Sequence, residues 1–102
     1  MNVIDEIAAE RRRQIEKEGW SVVHDDEYSE GEMADAAVSY AGQWTPDQMV
    51  YDDAGNPRYP LMWPWSVDWW KPKGRRRDLI RAGALIVAEI ERLDRAAHQG
   101  QR

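Results

Sequence analysis

The chain has 102 residues, 42 % hydrophobic and 32 % charged, with no cysteine and a net charge of −5. That describes one small domain without disulfide staples, thiol nucleophiles or zinc–thiolate sites, and an acidic whole argues against binding polymeric nucleic acid, which asks for a broad basic face. No apolar run approaches the roughly 18 residues of a bilayer span, and the start Met1-Asn2-Val3-Ile4-Asp5-Glu6 lacks the pattern of a secretory leader, so no membrane partner and a cytoplasmic location are expected.

Val3, Ile4, Ile7, Ala8, Arg11 and Ile15 recur at helical spacing between a capping Asn2 and a stop at Gly19, and predict an amphipathic helix over 3–18. Ser29 and Glu32 have capping-box spacing ahead of Met33, Ala36, Ala37, Tyr40, Ala41 and Trp44, which predicts a second helix ending near Thr45-Pro46. From Pro46 to Pro72 there are five prolines, the turn string Asp52-Asp53-Ala54-Gly55-Asn56-Pro57 and no sustained period, apart from one helical turn at Ser66-Val67-Asp68-Trp69-Trp70. Irregular stretches of this length are functional or disordered. Eight of the ten aromatic residues lie between Tyr40 and Trp70, whereas disordered segments are poor in aromatics, so an ordered loop pinned by Trp is expected.

A last helix runs from about Arg75 to Ala97, with Leu79, Ile80, Leu85, Ile86, Val87, Ile90 and Leu93 as its apolar set and no charge between Arg81 and Glu89. A helix apolar all round is buried on more than one side. Only 17 residues are Val, Ile or Leu, a thin core, so a homo-oligomer through the 79–93 helix is expected, with Gly83 between Ala82 and Ala84 allowing close approach. The fold expected is mainly α: a small three-helix domain over 1–97 with a long Trp/Pro-rich loop, followed by a frayed tail at 98–102.

Charge and aromatic residues are both unevenly placed. Residues 16–53 hold eleven acids against the single Lys17, while Lys71, Lys73, Arg75, Arg76 and Arg77 put five cations into seven positions. Arginines in the first turn of a helix oppose the dipole, and a bound phosphate would reverse that penalty; acids of the 25–35 segment would do so without a ligand. Six Trp and four Tyr occur with no Phe, and Trp63, Trp65, Trp69 and Trp70 stand beside the cations. A base stacked on such a ring gains about 1–3 kcal/mol, although two of these four Trp are expected to serve the core.

Glu32 and Asp35 form an E-x-x-D pair on one helical face, among His24, Asp25, Asp26, Glu27 and Glu30. The pair resembles half of the metal motif of all-α nucleotide pyrophosphohydrolases of the MazG type, which implies a magnesium-dependent hydrolase; the preceding helix has Glu6 and Glu10 at i, i+4 instead of the family's E-x-x-E. No phosphate-binding glycine loop, nucleophile elbow or Cys/His pair is present.

Two separated blocks carry a further resemblance. Glu18-Gly19-Trp20 with His24-Asp25-Asp26, then Tyr59-Pro60-Leu61-Met62-Trp63-Pro64-Trp65 and the basic run Lys71 to Arg77 opening a helix, resemble the ryanodine-receptor repeat (RyR) domain and short phage and prophage proteins with similar blocks. The 29–58 stretch stands where that family has a short connection, and Tyr59-Pro60 where it has His-Pro. The resemblance implies a small helical ligand-binding module without catalytic residues or cofactor. In a phage setting it implies a sponge for a nucleotide-derived immune signal, a cyclic oligonucleotide or an ADP-ribose derivative, in the host cytoplasm. On that reading Lys71, Lys73, Arg75, Arg76 and Arg77 neutralise phosphates, Trp20, Trp63, Trp65 and Trp69 stack bases, and Asp25 or Asp26 accepts hydrogen bonds from a base edge or ribose. The acidic 16–53 region offers a third reading, a protein-binding inhibitor that decoys a basic partner.

Overall fold

In the computed structural model, which describes residues 1–20 and 22–100, the first helix, α1, spans Val3–Glu18 as its caps require. The Asn2 side chain accepts the Asp5 N–H at 2.8 Å, and Gly19 closes the helix at φ 74°, a left-handed conformation that costs glycine nothing. A short helix, α2 (Val22–Asp26), follows, which no sequence period announces. Helix α3 (Glu32–Ala41) starts at Gly31, φ 87°, rather than at Ser29, because the Glu32 carboxylate curls back to accept the Glu30 N–H at 2.7 Å. It ends at Ala41, short of the expected Thr45-Pro46: Trp44 folds back, its Nε1–H on the Ser39 carbonyl at 3.1 Å, and its ring lies where a Cβ on Gly42 would stand.

The expected loop holds more regular structure than its composition announces. Two short strands, β1 (Met49–Tyr51) and β2 (Pro57–Pro60), pair antiparallel around a turn in which the Asp52 carboxylate accepts the Ala54 and Asn56 N–H groups. Proline is compatible with β2 because it occupies only the strand's two ends, where a missing donor matters least. Val67–Trp69 makes the single expected helical turn, capped by the Ser66 hydroxyl on the Asp68 N–H. Helix α4 then runs Arg75–Gly100, past the expected end at Ala97; residues 101 and 102 of the expected frayed tail lie outside the described residues.

Helix α4 is the spine, with α3 packed along it and α1 on a second face. Ala36 and Ala37 of α3 meet Ala82 and Leu85 of α4, and Trp20, Tyr40 and Trp63 complete the buried cluster, with Tyr59, Trp65 and Trp70 packed at its edge. Small residues let the helices close, and the tipped aromatics supply the bulk that aliphatic residues lack. Gly83 serves a contact within the chain: a Cβ there would stand 3.1 Å from Ile7 of α1, and Ala82 and Ala84 are buried in the core. The close approach expected between subunits is thus used between α1 and α4.

The orientation of α1 departs most from expectation. Its buried residues are Glu10, Arg11 and Gln14, whereas Val3, Ile4 and Ile15 of the expected core face are exposed, Ile4 at 72 %. Ile7 and Arg11 of the expected face still point inward, so the helix is rotated by part of a turn, which brings Glu10 and Gln14 in and leaves Ile4 and Ile15 outside.

Candidate functional site

The side of α1 that carries Glu10 and Gln14 makes one wall of a two-lobed cleft. The first lobe, about 190 Å³, is lined by Glu10, Arg13, Gln14, Lys17 and Glu18 of α1, by Trp20 and Tyr40, and by Trp69, Lys71 and Arg81. The second, about 270 Å³, is lined by Trp20, His24, Tyr28, Trp65, Ser66, Trp69 and again Glu18. Glu18, Trp20 and Trp69 border both, so the lobes adjoin, and their sizes suit a small molecule with two chemically different ends.

The second lobe is aromatic. His24 lies parallel to Trp20, 4° between planes at 5.9 Å, and Trp65 meets Trp20 and Tyr28 at 5.4 Å each. Trp69, 49 % exposed, is the ring left open to solvent at the shared border. The first lobe is ionic, with four cations facing two carboxylates inside an acidic protein. Arg13 is held by Glu10 at 2.8 Å and Glu18 at 2.7 Å, and that double pairing raises its pKa further. Burial pushes the Glu10 carboxyl up, but its hydrogen bonds from Arg13 and the nearby charges of Arg77 and Arg81 outweigh it and hold the pKa below the usual 4.5. Tyr40 is pushed up mainly by burial, and its hydroxyl accepts the Lys71 N–H at 3.3 Å. Arg81 donates to the Lys71 carbonyl at 2.5 Å and lies 5.6 Å over the Tyr40 ring. Lys17 and Lys71 form no ion pair among the described residues, so both ammonium groups are available to an anion.

Of the residues expected in the site from sequence, Trp20, Trp65, Trp69 and Lys71 line this cleft. The others are engaged elsewhere. Trp63 is core, 6 % exposed, with its Nε1–H on the Ser66 carbonyl. Asp25 is buried against Arg11 at 2.7 Å and His24 Nδ1 at 3.1 Å, and Asp26 pairs with Arg95. The basic first turn of α4 is satisfied internally. Arg76 grips Glu6 through both guanidinium nitrogens, lowering the Glu6 pKa, and Arg77 pairs with Glu10. Arg75 caps the end of α3 through the Ala41 and Gly42 carbonyls, and Asp78 takes the Lys73 N–H at 2.8 Å. The compensating acids come from α1 and from Asp78, not from the 25–35 segment. Lys73 is exposed. Glu32 and Asp35 gain no third acidic or histidine ligand among the described residues.

Sequence reasoning missed Arg13, Gln14, Lys17, Glu18 and Arg81. The signal was present: Glu10, Arg13, Gln14, Lys17 and Glu18 follow the i, i+3, i+4, i+7, i+8 spacing of one helical face, the face flanking the apolar one. Comparison of the chain with protein-family models, with curated proteins and with solved structures finds no match.

Proposed function

We propose that this protein binds a phosphorylated, nucleotide-class ligand in the two-lobed cleft and holds it without cleaving it. The observation that carries the reading is the junction of an aromatic lobe with a lobe where two lysine side chains have no ion-pair partner among the described residues: Trp65 and Trp69 accept a base, and Lys17 and Lys71 its phosphate. Stacking and charge neutralisation are needed together by that ligand class and by few others. The cationic role thereby moves from Arg75, Arg76 and Arg77 to residues that face the cleft.

Storage rather than turnover is the reading we favour. A sponge needs a slow off-rate more than a chemical step, and an aromatic lobe joined to a cationic one supplies it. The resemblance to the RyR domain and to short phage proteins supports the biological form of the proposal, capture of a cyclic oligonucleotide or ADP-ribose-type immune signal in the infected cell.

The test is to mix the protein with a panel of such nucleotides, with and without magnesium, remove unbound ligand, denature by heat and analyse what is released. Intact ligand in stoichiometric amount is expected. Cleaved product that requires magnesium and disappears in Glu32→Gln or Asp35→Asn would establish the hydrolase instead, and no ligand at all would turn attention to the acidic 16–53 region as a protein-binding surface.

A further inference from the structure

Among the described residues three buried side-chain polar atoms lack any hydrogen-bond partner: Gln14 Oε1, Arg81 Nε and Trp65 Nε1. All three residues line the cleft, and Gln14 and Arg81, both more than nine-tenths buried, line its ionic lobe. Buried polar groups are ordinarily satisfied, so a cluster of orphans on one cleft points to a ligand that supplies the missing partners. The orphans also specify what it supplies. Gln14 Nε2 donates to Glu10 at 3.2 Å, which orients the amide and leaves Oε1 as an acceptor in want of a donor. Arg81 is fixed by the Lys71 carbonyl and by the Tyr40 ring, which leaves its Nε–H as a donor in want of an acceptor.

An ionised phosphate answers Arg81 but has no hydrogen to give Gln14, and an amine answers Gln14 but not Arg81. A hydroxyl does both. A base edge also pairs donor with acceptor, but beyond the shared Trp20 and Trp69 the ionic lobe adds only Tyr40, a buried ring already covered by Arg81, whereas His24, Tyr28 and Trp65 draw the base to the other lobe. We propose that the ionic lobe takes the sugar of the ligand, with Gln14 and Arg81 reading its hydroxyls and Lys17 and Lys71 holding the adjoining phosphate. The assignment rests on the nucleotide-binding reading and deepens it: ribose is selected over deoxyribose.

Calorimetric titration of the purified protein with AMP, ADP-ribose and cyclic di-AMP, each against a form lacking sugar hydroxyls (2′,3′-dideoxy-AMP, ADP-ribose deoxygenated at the 2′ position of both riboses, and the 2′-deoxy cyclic dinucleotide), tests it. For the ligand that binds, removing the hydroxyls deletes the Gln14 and Arg81 contacts together and is expected to lower affinity about a hundredfold, about tenfold for each well-made hydrogen bond. Gln14→Met should lose about tenfold toward the hydroxylated form and nothing further toward the other, because the deoxy form has already lost the Gln14 contact. Equal affinity of the wild type for both forms would overturn the sugar assignment and leave nucleotide binding standing. Binding to none of the probes would overturn both. The comparison between ligands is made on the unaltered protein, so it decides even where Gln14→Met folds poorly.

Discussion

At the scale of single residues, the tipped aromatics and the cations divide into those the fold consumes and those it leaves over. Trp63 and Asp25 are consumed: one fills the core, the other neutralises the buried Arg11 that ties α1 to α2 and reaches Glu91 of α4 at 3.3 Å. Removing one partner of a buried pair strands the other charge, at a cost of about 3–5 kcal/mol. Asp25→Asn should therefore lower the urea midpoint markedly, and an unchanged midpoint would show the pair to be dispensable. Trp69 is left over, half exposed at the border of the two lobes. Trp69→Ala should shift the thermal midpoint little, by the standard of surface changes, while weakening nucleotide binding by the one-base stacking increment of about 1–3 kcal/mol. A variant that lost stability and kept affinity would place this ring in the core instead.

At the scale of elements, α1 explains how far the sequence could be read. Its limits were legible, since Asn2 and Gly19 are local signals that act within one turn. Its facing was not. Periodicity reports that one side is apolar and assumes that side goes inward, yet here the inward side is the ladder Glu10, Gln14 and Arg11, and the cleft depends on it. The β-hairpin was hidden for a related reason: three- and four-residue strands with proline at both ends of β2 carry no period to detect. The aromatic and basic blocks were legible as a cluster, but whether a given Arg faces a ligand or a Glu of α1 is a tertiary fact, decided by Glu6 and Glu10 about 70 positions away.

The same helix implies an acid limit. Glu10 titrates lower in the folded chain than the usual 4.5, so its contribution is fully present above that value and is lost as pH falls through the folded pKa; Glu6, held down by Arg76, behaves alike. We expect denaturant midpoints to be level from neutral pH to about 5 and to drop steeply below about 4.5. In Glu10→Gln the midpoint at pH 7 should fall and the acid slope should flatten. An identical acid slope in both proteins would mean that other carboxylates dominate.

At the scale of the molecule, the rotated α1 leaves an apolar surface to account for. Val3, Ile4 and Ile15 of α1 are exposed, as are Leu79, Ile86, Ile90 and Leu93 of α4, and the two stripes meet where Ile7 packs on Gly83. Positions 79, 86 and 93 fall seven apart with 90 between the last two, the spacing of a seam between two helices, while Gly83 on the same line is already covered by Ile7. The α4 side chains are about half covered already, so taking the rest of each out of water contributes about 1 kcal/mol, and several together offset the entropy of association. We propose that a second copy of the chain covers this surface. Light scattering of the wild type at micromolar concentration should return a dimer or larger, and Ile86→Asp with Ile90→Asp should return a monomer of unchanged helix content; a monomeric wild type would remove the idea. On α1 the cleft is lined by Glu10, Arg13, Gln14, Lys17 and Glu18, none of them part of the exposed apolar stripe. The monomeric variant should then keep its nucleotide, and loss of binding on dissociation would mean instead that the partner copy completes the site.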